Sequence, residues 1–211
     1  MRLTRNLPEY DKLNIAFVIG NGTSRTGIDL KHLKKFGRVY ACNAVYREFH
    51  PDYLVAVDTK MVNEIAKNGY HRIGEVWTNY NKQYEKYNGL NYFEPSKGWS
   101  SGPTALHLAS EHRNNTIYIL GFDYRGIGAD NKRVNNIFSG TPNYKRENDN
   151  ATYFGNWLRQ TTNVIQKNPE KRYIRVVGDK KGFVPEPLEK FGNLSHISKG
   201  DFLKSFNLAL T

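Results

Sequence analysis

The feature that most constrains the fold is an unalternated apolar run, Ile15-Ala16-Phe17-Val18-Ile19, that breaks directly into Gly20-Asn21-Gly22-Thr23-Ser24. A short run of this kind, with no polar residue on either face, is the pattern of a strand buried on both sides, and such strands belong to parallel sheets covered by helices. Gly20 and Gly22 permit positive φ and a close approach of the backbone to a ligand. Asn21, Thr23 and Ser24 offer partners for phosphate or sugar oxygens. The spacing matches neither the GxGxxG of dinucleotide-binding turns nor the GxxxxGK[ST] of nucleoside-triphosphate loops. A tight turn that holds no ligand is the alternative reading.

Apolar runs and helix-like stretches alternate along the rest of the chain. Strands are expected at about Asn14 to Ile19, Arg38 to Cys42, Tyr53 to Val57, Glu75 to Thr78 and Thr116 to Leu120, with Tyr173 to Val177 as the last. Between them Ile28 to Leu33 reads as helix or loop, and Met61 to Lys67, Pro103 to His112 and Tyr153 to Gln166 as helices. Alternation of this kind selects an α/β fold, here a single Rossmann-like domain over residues 1–211 with a mainly parallel sheet and helices on both faces. At 211 residues and 38% hydrophobic content the chain can bury one sizeable core.

In such a sheet the ligand crevice lies beyond the carboxyl ends of the strands. Asn21, Asn43, Asp58 and the pair Asp123-Tyr124 each follow a strand, and Ser100-Ser101-Gly102 opens a helix. Each alone fits a cap or turn. Together they predict a binding mouth along one edge. Residues from about 125 to 150 are polar and glycine-rich, with few apolar anchors, and a loop of that length beside the mouth is expected to be a mobile lid. His107, in mid-helix, reads as a structural histidine.

The formal charge of +11 favours anionic ligands or polyanions without saying which. Basic clusters such as Lys31-His32-Leu33-Lys34-Lys35, Lys145-Arg146 and Lys180-Lys181 fit solvated faces. The 14 tyrosines, some interleaved with lysines, suit either stacking on bases and sugars or the edges of a modest core. Nucleic acid is a permitted partner, but no zinc finger, RNA-recognition signature or heptad-backed basic helix supports it. One cysteine, Cys42, excludes an intrachain disulfide and a cysteine-cluster metal site, and its setting is that of a small buried hydrophobe. No stretch approaches the ~20 apolar residues of a membrane span, and Met1 to Pro8 lacks the apolar core of a leader, so a cytoplasmic location is expected.

Gly20-Asn21-Gly22-Thr23-Ser24, Cys42-Asn43, Ser100-Ser101-Gly102, Gly121-Phe122-Asp123-Tyr124 and Asn148-Asp149-Asn150-Ala151-Thr152-Tyr153-Phe154-Gly155 occur in order. This pattern resembles the bacterial CMP-sialic-acid-dependent sialyltransferases of glycosyltransferase family 42. More loosely, it is similar to the domain-of-unknown-function 115 proteins, which include archaeal pterin pyrophosphokinases. The resemblance implies a metal-independent glycosyltransferase whose donor is a nucleotide sugar, CMP-sugar favoured, with no separate cofactor. It implies that Gly20, Asn21, Gly22 and Ser24 cradle donor phosphate or ribose, that Asn43 holds ribose or sugar, and that Ser100, Ser101 and Gly102 bind nucleotide together with Asp123. Tyr124 falls within one position of a tyrosine that stabilises the leaving phosphate.

The chain departs from that pattern where the family has its general-base histidine, because the position is Asn156. Asparagine cannot accept a proton at neutral pH, so another base would have to replace it; Asp58, Asp149 and His107 are the candidates by position, and the two aspartates are preferred because His107 reads as structural. The expected function is therefore transfer from a nucleotide-activated sugar to an acceptor that the positive charge allows to be anionic. Nucleotidyl or pyrophosphoryl transfer and catalytically silent nucleotide binding are the alternatives. The tyrosines and the relatives' habits suit a homo-oligomer.

Overall fold

A computed structural model describes residues 14–178 and 182–209. The amino-terminal segment read for a leader and the Lys180-Lys181 pair lie outside the described residues. Among the described residues, β1 (Ile15–Ile19), β2 (Arg38–Cys42), β3 (Tyr53–Val55), β4 (Val76–Asn79), β5 (Leu90–Phe93), β6 (Thr116–Leu120), β7 (Arg172–Val177) and β8 (Leu194–Ser198) form one open sheet. Its order is β5-β4-β3-β2-β1-β6-β7-β8, and every neighbouring pair is parallel. The chain thus leaves β1 in one direction as far as β5 and returns to β1's other side with β6. That reversal is the topological switch point at which open α/β sheets bind ligands.

The expected α/β class is what the structure shows, and two of its strands were not expected. β5 has the sequence LNYF and β8 the sequence LSHIS. Both are edge strands with only the leading leucine buried, so neither carries the continuous apolar run that marks β1 or β6. Tyr173 to Val177 is accordingly not the last strand, and Asp123-Tyr124 follows the sixth rather than the fifth.

Helices cover both faces. On one, Met61, Val62 and Ile65 of α2 (Thr59–Lys67) and Phe202 of α6 (Lys199–Ser205) pack on Phe17, Ile19, Val39 and Leu54. On the other, Ala105, Leu106 and Ala109 of α3 (Ser101–Glu111) and Val164 and Ile165 of α4 (Gly155–Lys167) pack on Val18, Tyr40, Val55 and Ile119. The remaining α-helices among the described residues are single turns, α1 (Leu30–Leu33) and α5 (Glu186–Glu189). Each large side chain buried in these layers contributes roughly 1.5–3 kcal/mol relative to exposure. Alternation in and out of the two layers is why β1 is apolar at every position. Cys42 is buried and unpaired, and His107 lies within 3.6 Å of Glu111 on its own helix with its ring against Trp99. Among the described residues no helix is long and apolar enough to cross a membrane.

Candidate functional site

The loops after β1 and β6 meet along the middle of the carboxyl edge. Gly20 N–H donates to Leu120 O at 2.8 Å and Gly22 N–H to Gly121 O at 2.9 Å, so the two loops touch backbone to backbone. A Cβ on Gly20 would lie 2.6 Å from Gly121 O and 2.8 Å from the Phe122 ring, and one on Gly121, whose φ is +69°, would lie 2.7 Å from Gly20 O. Gly102, at the start of α3, presses on the far side of the same phenylalanine ring, 3.3 Å from where its Cβ would be. The glycines expected to open space for a ligand at 20, 22 and 102 are thus occupied by protein. They form a ridge that divides the carboxyl edge into two flanks.

The first flank runs over the ends of β2, β3 and β4. Asn43 follows β2 with φ +53°, a region that favours asparagine among side-chain-bearing residues, and its Oδ1 is buried without a partner. Asp58 stands at the cap position of α2, yet its carboxylate makes no capping bond, and the side chain is exposed. It lies close enough to matter at Cys42. Burial pushes that thiol up to about 12, Arg25 opposes the rise and Asp58 adds to it. Thr78 Oγ1 and Asn79 Oδ1, at the end of β4, are also buried and unpartnered. Three buried acceptors at the ends of β2 and β4 are therefore unsatisfied, with the exposed Asp58 carboxylate between them, an uncommon concentration, since buried polar groups are nearly always paired.

Asn21 and Ser101 are engaged. Asn21 Nδ2 donates to Tyr144 Oη at 3.0 Å, and Ala44 N–H donates to the same oxygen at 3.2 Å. Ser101 Oγ accepts from Val57 N–H at 3.1 Å, which ties the start of α3 to the end of β3. The Ser100 side chain makes no capping bond, and its backbone N–H donates to Gln160 Oε1 at 3.0 Å.

The second flank lies between the ends of β1, β6 and β7 and holds a cavity of about 390 Å³. Ser24, Asp123, Arg125, Arg175, Phe183 and Lys199 are among the residues that line it. Both oxygens of Asp123 are taken by Ser24, whose N–H donates to Oδ2 at 3.0 Å and whose Oγ donates to Oδ1. A Cβ on Gly22 would collide with that carboxylate. Sequence reasoning missed Arg175 and Lys199. An arginine inside the apolar run Tyr173-Ile174-Arg175-Val176-Val177 was the signal for the first, whereas Lys199 carries none.

The expected catalytic residues are not gathered. Tyr124 has φ +53° and is 4% exposed, and its hydroxyl donates to Thr161 Oγ1 at 2.8 Å in the interior. Burial drives its phenol well above the ordinary tyrosine range. Asp149 Oδ2 accepts from Arg146 N–H at 2.8 Å within a turn. Asn156 lies in the first turn of α4, exposed, with Oδ1 accepting from Arg159 at 3.3 Å. Only Asp58 keeps both oxygens free beside the first flank.

Residues 125–150 contain no helix or strand, only the isolated bridges Ile127↔Arg133 and Arg133↔Asn150. The scarcity of apolar anchors expected there is corrected by Val134 and Phe138, both buried. Ile137 N–H donates to Asn21 O, and Asn135 Oδ1 accepts from both Thr23 N–H and Thr23 Oγ1. Arg47 clamps the segment from below: it pairs with Glu64 at 2.6 Å and donates to Thr141 Oγ1 and Pro142 O, while Asn143 also bonds Glu64. Burial alone would push the Glu64 carboxyl up, but the bonds from Arg47 and Tyr46 outweigh it and leave it lowered. The loop is therefore seated on the β1 and β2 ends through Tyr144 and Asn135. Among the described residues no group of three or more His, Cys, Asp or Glu side chains is placed to hold a metal ion. Compared with protein-family models, curated proteins and solved structures, the chain finds no match.

Proposed function

We propose that the chain binds a nucleotide-activated sugar, CMP-sugar first among candidates, at the carboxyl edge of β1–β4, and transfers the sugar to an acceptor hydroxyl. The observation that carries this reading is the pair of unused acceptors, Asn43 Oδ1 and the Asp58 carboxylate, at the ends of adjacent strands. A ribose presents two neighbouring hydroxyl donors, and acceptors at a strand end are how α/β sheets hold that sugar. Asn79 Oδ1, at the end of β4, offers a further acceptor for an amino or hydroxyl group of a base or sugar. Asn21 Nδ2 and Ala44 N–H already converge on one oxygen, that of Tyr144, and would serve a ligand oxygen equally well.

In this reading Asp58 accepts the proton of the attacking hydroxyl, the new glycosidic bond forms, and the nucleotide leaves with the bonding electrons on its phosphate. Asp58 is preferred to Asp149 because its oxygens are free. Tyr124, hydrogen-bonded to Thr161, holds the β6 loop rather than the leaving group. Catalytically silent binding is the second reading, favoured by Asn156, which cannot titrate.

Thermal melting against a panel of nucleotides and nucleotide sugars, with product analysis, tests the proposal. A ligand specific to the folded state at a hundredfold excess over Kd adds about 2.7 kcal/mol. A panel with no shift for any nucleotide overturns the reading. A shift without release of free nucleotide selects the silent module, and release of AMP selects pyrophosphoryl transfer.

A further inference from the structure

Arg175 is the least expected buried group of the molecule, 3% exposed in the middle of an apolar strand. Its Nε donates to Phe122 O at 2.7 Å, its Nη1 to Phe183 O at 2.9 Å and its Nη2 to Asp123 O at 3.5 Å. These acceptors are neutral carbonyls, and a guanidinium has five donors. Burial pushes its acidity in the direction that disfavours the charge, so the fold carries this cation at a cost that a carboxylate would ordinarily offset. Among the described residues none forms an ion pair with it.

Two further cations share its cavity. Lys199 Nζ donates to Thr26 O at 3.0 Å and keeps two N–H donors. Arg125 lies with its guanidinium 5.6 Å from the centre of the Phe183 ring and is exposed. Neither has an ion pair among the described residues. The one carboxylate on the wall, Asp123, has both oxygens committed to Ser24. His196 pairs in register with Arg175 on β8, and burial, with Arg175 adding to it, holds the imidazole neutral by lowering it to about 4. The wall therefore presents three cations against a single anion, in a space of about 390 Å³. That is large enough for a phosphate together with a small sugar, being within the ~300–1,000 Å³ of ordinary ligand pockets.

We propose that this cavity binds the phosphate end of a small sugar phosphate, with Arg125, Arg175 and Lys199 as its ligands. The site stands apart from the nucleoside contacts on the β2–β4 flank and does not depend on them. Guanidinium groups supply paired donors to phosphate oxygens, and the lysine supplies a point charge. The overall charge of +11 raises the encounter rate with such anions.

Calorimetric titration of the full chain with ribose 5-phosphate and inorganic pyrophosphate, with ribose and sulfate as controls, tests the site. Ribose 5-phosphate should bind, with affinity falling as salt rises, and ribose should not. Lys199→Met and Arg125→Ala should each weaken binding about tenfold or more, the scale of one charge-assisted contact, with an unchanged melting temperature. Both positions reach solvent, so the test does not rest on Arg175→Gln, which can fail to fold. Pyrophosphate that binds while ribose 5-phosphate does not would keep a phosphoryl site but overturn its assignment to a sugar phosphate. The proposal falls if no phosphate probe binds at millimolar concentration, if sulfate binds equally well, or if both variants bind like wild type. It also falls if a mixed-sequence single-stranded oligonucleotide competes more tightly than ribose 5-phosphate. Cytidine, which lacks phosphate, should raise the melting temperature of the wild type but not of Asn43→Ala, while both bind ribose 5-phosphate alike, so failure of the nucleotide reading is read separately.

Discussion

The two flanks of the carboxyl edge are opposites in chemistry although they share the β1 loop as a boundary. Toward β4 the unsatisfied groups are neutral or anionic acceptors: Asn43 Oδ1, Thr78 Oγ1, Asn79 Oδ1 and the Asp58 carboxylate. Toward β7 they are donors with positive charge, Arg125, Arg175 and Lys199. A hydroxylated ligand matches the first set and a phosphorylated one the second. The difference teaches that the glycine-rich turn has two parts, since its Thr23 and Ser24 line the β7-side cavity while its glycines pack against the β6 loop. The glycine part is the partition, made thin by Gly20 and Gly121 so that both flanks approach the centre of the sheet.

The partition can be broken directly, and this should have the largest effect. Gly121→Ala places a Cβ 2.7 Å from Gly20 O at a φ of +69°. Left-handed strain and overpacking together should cost roughly 3 kcal/mol or more, seen as a lower midpoint in urea and loss of ligand binding on both flanks. Tolerance of the alanine with both bindings intact would mean that the loops have slack.

Acid should weaken the fold in part through the β7 flank. His196, lowered to about 4, regains its ordinary value of about 6.5 when the chain unfolds. Between those values the unfolded state binds more protons, so stability is full above about pH 6.5 and is lost as pH falls toward 4. Urea midpoints measured from pH 7 to pH 4.5 should show this loss, and His196→Phe should flatten it. An unchanged slope in the variant would assign acid sensitivity elsewhere.

Asn43→Ala sharpens the comparison from the other side. Losing the acceptor should weaken nucleotide binding about tenfold or more, the cost of an unpaired ligand hydroxyl, with phosphate binding on the β7 flank unaffected. Equilibrium titration of both ligands on one variant checks it; parallel losses would show one continuous site instead of two.

The smallest effect is expected for Tyr144→Phe. Its hydroxyl accepts from Asn21 Nδ2 and Ala44 N–H. Removal should lower stability by about 1 kcal/mol and increase amide exchange in residues 125–150. Exchange that stays protected would show that Phe138 and the Arg47–Glu64 clamp hold the segment without it.

The sheet's interior was legible because a strand buried on both faces has to be apolar at every position, as β1 is. The edges were not, because Asn91, Ser195 and His196 dilute the signal where one side of a strand meets solvent. The candidate site was half legible. Asn43 and Asp58 announce themselves by following apolar runs, whereas Thr78 and Asn79 look like any strand end until their hydrogen bonds are counted. Side-chain direction was not legible at all: Tyr124 and Asp123 are neighbours in sequence, yet one ring enters the core and one carboxylate enters the cavity.

The pairing of β1 has a consequence for synthesis. One edge of Ile15–Ile19 is met by β2 soon after it emerges, but the other waits for Thr116–Leu120, about a hundred residues later. At ribosomal rates that delay is roughly 5–20 s. Throughout it the nascent chain carries an uncharged, apolar strand with a free row of backbone donors and acceptors, the kind of segment that captures other chains. Production of this protein should therefore be governed less by its finished stability than by what shields that edge until the second half of the sheet arrives.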